Sequence, residues 1–216
     1  MLEQLIAWYA PHTCLGCGTE GALLCAACVH AIEPVADRCY RCHQLAARGR
    51  TCVACQRHSA LYSVRAATTY AGSAKQLIGR LKFGGAQAAA DGMARAMAAL
   101  LPDEDVLLVY LPTASSRIRR RGYDQAKLIT RHLLRYTGKR SLACLARHGQ
   151  QRQVGATREQ RLKQLRESFT VIRPVTGAHI VLIDDVTTTG ASLEAAAAAL
   201  KVAGAVRIEA VVFARA

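Results

Sequence analysis

Residues 180–192 have the sequence IVLIDDVTTTGAS, and this stretch decides both the fold class and the position of the candidate site. It starts with apolar residues, continues with the acids Asp184 and Asp185, and then becomes a run of small hydroxyl residues and glycine. A short apolar run, a small polar loop and a helical pattern are typical of a buried parallel strand that leads into a helix. We therefore predict a strand at 179–184, a loop, and a helix at 192–203.

The predicted loop has the composition of an anion-binding turn. Its backbone N–H groups and hydroxyls can point toward one phosphate, and the positive end of the following helix dipole adds to the attraction. We expect this loop to consist of Thr187, Thr188, Thr189, Gly190, Ala191 and Ser192. Asp184 and Asp185 would then lie just before the phosphate, where a ribose presents its hydroxyls. The alternative is an ordinary strand–turn–helix unit with Ser192 as its N-cap.

The same alternation of strands and helices extends upstream to about residue 61. We predict strands at 62–70, 105–111, 141–147, 179–184 and 206–213, and helices at 73–83, 86–100, 123–136, 157–167 and 192–203. A basic loop is expected between the second strand and the third helix. Short apolar strands that alternate with amphipathic helices predict an α/β fold, with a mainly parallel sheet and helices on both faces.

The segment before residue 60 has a different composition, because eight of the nine cysteines lie there in C-x-x-C pairs. The pairs are Cys14 with Cys17, Cys25 with Cys28, Cys39 with Cys42, and Cys52 with Cys55. A C-x-x-C turn presents two thiolates at the corners of a tetrahedron, so four pairs predict two structural zinc sites. We expect two domains: residues 1–60, an N-terminal helix and a double zinc ribbon, and residues 61–216.

Several alternatives for the cysteine segment stay open. An iron–sulfur cluster can use the same ligands. The pairs can combine sequentially or be interleaved, and a neighbouring histidine could replace a thiolate. The histidines concerned are His12, His30, His43 and His58. The ninth cysteine, Cys144, stands alone in a predicted strand and is expected to be a small buried hydrophobe.

Positive charge is concentrated in the middle of the chain. The formal net charge is +14, and residues 117–173 contain 16 basic and 3 acidic side chains. Such a segment attracts polyanions: a phosphorylated small molecule, nucleic acid or an acidic protein surface. The sequence contains no long uncharged apolar run and no secretory signal pattern, so we expect no membrane insertion and a cytoplasmic location.

The motif at 180–192 resembles the signature of the type I phosphoribosyltransferases, which bind 5-phosphoribosyl-1-diphosphate (PRPP). The whole arrangement is similar to the ComF family, the competence proteins F, in which a cysteine-rich zinc ribbon precedes such a domain. Further matches are Leu81-Lys82-Phe83, Leu111-Pro112, Arg121-Gly122-Tyr123-Asp124-Gln125, and Gln153 followed by Arg161 and Phe169. The family usually has R-G-F-N-Q where this chain has R-G-Y-D-Q.

The resemblance implies a role for each part of the site. The loop would hold the 5′-phosphate of PRPP, Asp184 and Asp185 would bind the ribose hydroxyls, and Mg²⁺ would accompany the diphosphate. Basic groups are needed near that diphosphate. The candidates are Lys82, Arg119, Arg120 and Arg121, and Arg121 is our choice for a catalytic role beside the two acids. The segment from His148 to Thr157 is expected to cover the site, and a base-recognising hood would come from residues 1–100.

Three functional hypotheses follow. The first is a PRPP-dependent transferase whose acceptor is unknown. The second is a protein that binds PRPP or another phosphorylated ribose without transfer and works through partners. The third is a non-catalytic accessory protein that binds single-stranded DNA through residues 117–173. The ComF resemblance implies a role in DNA uptake and natural transformation, with single-stranded DNA or DNA-uptake proteins as partners.

Overall fold

The computed structural model describes residues 12–33, 35–148 and 168–216. Its strands are β1 (Ser63–Thr69), β2 (Leu107–Tyr110), β3 (Arg140–Ser141), β4 (Leu145–Arg147), β5 (Phe169–Val171), β6 (His179–Thr187) and β7 (Arg207–Arg215). Its α-helices are α1 (Ala26–His30), α2 (Val53–Gln56), α3 (Gly72–Phe83), α4 (Ala89–Ala98), α5 (Ser115–Arg121), α6 (Gln125–Thr137) and α7 (Ala191–Val202), and a 3₁₀ turn covers Ala47–Gly49. Among these described helices, none is long and apolar enough to cross a membrane.

Five strands form one parallel sheet in the order β1-β7-β6-β2-β3. Strand β6 lies in its centre, where Ile180 pairs with Leu107 of β2 on one side and with Ile208 of β7 on the other. The remaining strands, β4 and β5, form an antiparallel hairpin of their own. The α/β class and the mainly parallel sheet are therefore confirmed.

The two faces of the sheet bury separate apolar clusters. Val181, Ile183 and Phe213 pack with helices α3, α4 and α6 on one face. Ile180 and Leu182 pack with α7 and with the β4–β5 hairpin on the other face. Successive residues of β6 thus point to opposite faces, as the pleat of a strand requires, and both sets are apolar because both faces are covered.

The predicted "basic loop" after the second strand is wrong, because it contains helix α5. Its residues, SSRIRRR, include four arginines, which are good helix formers. The helix ends at Gly122, whose φ of +83° is the left-handed conformation that terminates helices and favours glycine.

The prediction of one strand at 141–147 is also wrong. Residues Arg140–Ser141 pair with β2 at the edge of the main sheet, whereas Leu145–Arg147 pair with Phe169–Val171, a strand that the sequence analysis did not predict. The chain leaves the sheet after Leu142, whose N–H bonds to Leu108 O, and Cys144 then lies in the apolar cluster on the α7 face. Cys144 is a buried hydrophobe, as predicted, but it precedes the strand.

The end of β6 and the start of the next helix also differ from the prediction. The strand does not stop at Asp184 but continues to Thr187, because that residue still pairs with Arg215 of β7. Helix α7 begins at Ala191, with Gly190 as its N-cap, and Ser192 is inside the first turn. The other predicted elements agree with the structure to within three residues at each end, apart from the helix at 157–167, which lies outside the described residues.

The cysteine segment packs directly against the sheet and its helices. The N–H of Thr51 bonds to Tyr62 O at 2.8 Å, and the N–H of Tyr62 bonds to Ile208 O at 2.7 Å. Leu24 joins the apolar cluster of α3, α4 and α6, and Tyr40 joins the cluster on the opposite face. The two halves of the segment therefore contact opposite faces of the sheet.

The contact between Leu24 and α4 yields a stability prediction. A Cβ added to Gly92 would lie 2.7 Å from Leu24 Cβ, an atom that cannot move without its backbone. Overpacking of this kind costs about 1 to 3 kcal/mol, which a gain in helix propensity of about 1 kcal/mol offsets in part. We therefore expect Gly92→Ala to lower the free energy of unfolding in urea titrations.

The matched control is Gly79→Ala in α3, where an added Cβ meets no atom within 4 Å. This variant gains helix propensity without a clash, so its unfolding midpoint should rise slightly. Equal stability of the two variants would contradict the close packing of Leu24 on α4.

Candidate functional site

The loop between β6 and α7 has the features of an anion site. The side chains of Thr188 and Thr189 are exposed, whereas Gly190 is buried and has a φ of +74°. Within the part of the chain that the structure describes, the N–H groups of Thr188, Thr189 and Gly190 have no hydrogen-bond acceptor. Open N–H groups at the beginning of a 12-residue helix form a positive end that attracts anions.

The two acids before this loop have different surroundings. Asp185 is 2% exposed, and its Oδ2 forms an ion pair with Lys82 Nζ at 2.6 Å. Asp184 points to the other face of the sheet and is half-buried, and its Oδ1 accepts a hydrogen bond from the N–H of Asp185 at 2.8 Å. Burial and the neighbouring Asp185 carboxylate raise the pKa of Asp184 well above its usual value. Asp184 is thus the carboxylate of the pair that lacks an ion-pair partner within the described residues.

Of the predicted cationic residues, the structure brings Lys82 into contact with an acid, half-buries Arg121 and leaves two in solvent. Lys82 contacts Asp185 directly. Arg121 donates to Gln125 Oε1 at 2.9 Å and lies 5.5 Å from the centre of the Phe83 ring. Burial lowers the pKa of Arg121, and the nearby Asp185 opposes this shift. Arg119 and Arg120 are exposed and form no hydrogen bond or ion pair with any described residue.

A further arginine at the site was missed by the sequence analysis. Arg147, at the end of β4, is half-buried, and its guanidinium lies 5.2 Å from the centre of the Phe169 ring. Burial and Arg117 lower the pKa of Arg147, whereas Asp184 and Asp124 oppose that shift. The hairpin, which the sequence did not reveal, places Arg147 Nη1 3.5 Å from Pro112 O in the segment that follows β2. Within a segment rich in arginines, no local pattern distinguishes this one.

Asp124, the residue that departs from the usual R-G-F-N-Q pattern, has a structural role. It is the N-cap of α6, where its side chain accepts from the N–H of Lys127. Its Oδ2 also accepts from the N–H of Thr113 at 2.8 Å, which ties α6 to the segment that follows β2. An aspartate is a favoured N-cap, so the negative charge is compatible with this position.

The eight paired cysteines form two groups, and the grouping is sequential. Within each group the four Sγ atoms lie within 4.8 Å of one another. The groups are Cys14, Cys17, Cys25 and Cys28, and Cys39, Cys42, Cys52 and Cys55. Among the described residues, these groups contain no histidine, so the predicted flanking histidines do not replace a thiolate.

The donor set of each group fits a tetrahedral metal ion. The sulfurs of Cys17 and Cys25 are 3.6 Å apart, as are those of Cys42 and Cys52. Thiolates at about 2.3 Å from Zn²⁺ are about 3.8 Å apart in a tetrahedron. Both groups are therefore compatible with structural zinc, and four sulfurs leave no open position for a substrate.

One thiol in each group has a lowered pKa. Burial raises the pKa of Cys14, but hydrogen bonds from the backbone N–H groups of Cys25, Cys17 and Gly16 outweigh it and lower the pKa to about 6. The same balance lowers the pKa of Cys39 to about 6. A thiolate is the form that binds a metal, so each group can begin to bind at neutral pH.

The segment from His148 to Thr157 was expected to cover the site, but only His148 belongs to the described residues. Gln153 and Arg161, which were among the sequence matches, also lie outside them. The described part of the site comprises the loop after β6, the two acids, Lys82, and the arginines at the ends of α5 and β4.

Comparison with known proteins gives one family. The model for "Phosphoribosyl transferase domain" matches residues 93–216, more than half of the chain. No curated protein matches the sequence. Among solved structures, the chain is similar to the "allosteric regulatory enzyme of purine biosynthesis", with 17% identity over 58% of this chain and a TM-score of 0.42. The matched region spans 25% of that enzyme's chain.

The raised pKa of Asp184 predicts a pH-dependent gain in stability when its charge is removed. An acid whose pKa is raised by folding destabilises the folded state when it is ionised. This loss of stability is complete above the folded pKa, decreases as the pH falls, and disappears below the unfolded pKa of about 4. We expect Asp184→Asn to raise the thermal unfolding midpoint of the ligand-free protein at pH 8. The gain should shrink as the pH falls toward 4. A gain that is constant over this range, or a loss at pH 8, would contradict the proposed electrostatic cost.

Proposed function

This chain belongs to the phosphoribosyl transferase domain family, and from that premise we propose that its site binds PRPP or a closely related phosphorylated ribose. The observation that carries the proposal is the loop after β6. Its open N–H groups at Thr188, Thr189 and Gly190 suit a phosphate, and the carboxylates of Asp184 and Asp185 directly precede them. At the carboxyl edge of a parallel sheet, this is the expected place for a ligand.

The phosphate loop and the two carboxylates together set the orientation of the bound ribose. The loop from Thr187 to Ser192 holds the 5′-phosphate, and the carboxylates repel it toward that loop. Asp184 accepts from a ribose hydroxyl, since it is the half-buried acid without an ion-pair partner among the described residues. Asp185 is nearly inaccessible beside Lys82 and reaches a hydroxyl only when that pair opens.

Transfer would break the bond from ribose C1 to the diphosphate oxygen, which leaves with the electron pair, and form a bond from C1 to the acceptor. Asp184 is the carboxylate that would help to hold Mg²⁺ together with PRPP, and the ion would neutralise charge on the leaving diphosphate. From the chain itself, Arg121 is the catalytic candidate at the diphosphate, with Lys82 near it. Arg147 becomes a further candidate because its half-buried guanidinium contacts the segment that follows β2, the neighbour of β6 in the sheet, and because the charge of Asp184 acts on its pKa.

The finer identity is proposed from the sequence resemblance together with the two cysteine groups. We propose a ComF-type protein in the cytoplasm, composed of a double zinc ribbon (residues 1–60) and a phosphoribosyltransferase domain (residues 61–216). It would support DNA uptake and natural transformation. The acceptor of the transferred group is not identified by any residue described above.

Calorimetric titration with Mg²⁺ and PRPP tests the proposal. The wild-type protein should bind one equivalent saturably, and Asp184→Asn/Asp185→Asn should bind at least tenfold more weakly because the ribose hydroxyls lose their acceptors. The matched control is Asp105→Asn, since this carboxylate is exposed and pairs with Arg140 on the surface. It should leave the affinity unchanged.

Release of diphosphate on addition of an acceptor would separate transfer from binding alone. Absence of PRPP binding by folded, zinc-loaded wild-type protein would overturn the proposal.

The second candidate is a non-catalytic protein that binds single-stranded DNA through residues 117–173. The observation in its favour is helix α5, where Arg117, Arg119 and Arg120 are exposed and Arg121 lies 5.5 Å from the centre of the Phe83 ring, a residue that is 75% exposed. Guanidinium groups beside an exposed aromatic ring suit a phosphate backbone with a stacked base. If PRPP does not bind, an affinity for single-stranded DNA that falls steeply with salt would favour this function.

A further inference from the structure

The second cysteine group, formed by Cys39, Cys42, Cys52 and Cys55, contacts the candidate phosphate loop through one aromatic side chain. Tyr40 lies between the first two ligands and is 6% exposed. A Cβ added to Gly190 would lie 2.6 Å from Tyr40 Cδ2 and 2.9 Å from Cε2. The loop can therefore rest against this ring only because residue 190 is a glycine, whose positive φ the loop also requires.

The hydroxyl of the same tyrosine is bonded to the helix that follows the loop. Tyr40 Oη donates to Glu194 Oε2, in the first turn of α7, and lies 2.7 Å from Ser59 Oγ. Glu194 also accepts from Ser59 Oγ at 2.9 Å and from the N–H of Ala60 at 2.7 Å. The N–H of Glu194 in turn bonds to Gly190 O at 2.8 Å. The ring and hydroxyl of Tyr40 thus hold both the loop and the helix start.

The first cysteine group has no comparable contact among the described residues. Its neighbour Leu24 packs on Gly92 of α4, on the face of the sheet opposite to α7. The two groups have the same four-thiolate chemistry. Cys17 in the first group and Cys42 in the second occupy equivalent positions, and both are exposed. They differ in what they touch, so each can serve as the control for the other.

We propose that the metal ion of the second cysteine group sets the affinity of the phosphate loop, with Tyr40 as the positioning residue that links them. The inference rests on the proposed binding of a phosphorylated ribose. A bound metal fixes the turn from Cys39 to Cys42 and therefore the place of the Tyr40 ring. Without it, the ligand must order the loop as it binds, and this ordering reduces the affinity.

The inference is tested by calorimetric titration of the full chain with Mg²⁺ and PRPP. Cys42→Ser and Cys17→Ser each disrupt one group, which metal analysis verifies as loss of one of two zinc ions per chain. We expect Cys42→Ser to weaken PRPP binding about tenfold or more and Cys17→Ser to change it less than about twofold. Equal losses in the two variants, or no loss in Cys42→Ser, would overturn the inference.

Variants that keep all eight ligands separate positioning from folding. Tyr40→Leu should lose about as much affinity as Cys42→Ser while it retains both zinc ions, and Tyr40→Phe should lose less because its ring still supports Gly190. Glu194→Gln keeps an oxygen acceptor for Tyr40 and should restore most of the affinity that Glu194→Leu loses. Wild-type affinity in Tyr40→Leu would contradict the role of this side chain.

A ligand-free measurement covers the case in which a cysteine variant does not fold. In Tyr40→Phe, hydrogen exchange at the N–H of Glu194 should be faster than in the wild type, because the helix start has lost a hydrogen bond. Unchanged exchange at this amide would overturn the link. If the wild-type protein binds no PRPP, the proposed function fails. If the wild type binds PRPP and the variants of Tyr40 and Cys42 bind it with the same affinity as the wild type, only the inference fails.

Discussion

The pairing of β6 with two parallel neighbours is the constraint on which the rest of the structure depends. Its backbone bonds to β2 on one side and to β7 on the other, so its side chains can only point into the two covered faces. This burial requires apolar residues from Ile180 to Ile183, and ligands bind to such sheets at the carboxyl ends of the strands. Asp184, Asp185 and the loop that begins at Thr188 lie toward that end, and the pairing with β7 stops at Thr187.

The same sheet explains why the cysteine segment matters to the site. A segment with two small metal sites has little apolar core of its own, and this one packs its two halves on opposite faces of the sheet. The half with Leu24 stabilises α4, whereas the half with Tyr40 contacts Gly190 and Glu194. The second cysteine group therefore lies one side chain, that of Tyr40, away from the candidate phosphate loop.

Sequence patterns predicted the parts of this fold that local physics determines. Periodicity located the central strands, and the C-x-x-C spacing located the eight thiolates, because both depend on neighbours along the chain. The split of the strand at 141–147 could not be predicted, because it depends on the pairing of Leu145–Arg147 with Phe169–Val171, which are distant along the chain. The ion pair of Lys82 with Asp185, the contact of Arg147 with Pro112 and the contact of Tyr40 with Gly190 are likewise long-range and have no signature in the sequence.

The central claim, that the loop after β6 binds the phosphate of a phosphorylated ribose, is tested most directly by amide NMR of zinc-loaded protein titrated with Mg²⁺ and PRPP. The largest shifts should occur at the amides of Thr188, Thr189, Gly190 and Ser192, because these N–H groups gain a charged acceptor. Ribose 5-phosphate should shift the same amides, and ribose should not. Saturable binding that leaves these four amides unchanged would contradict the account.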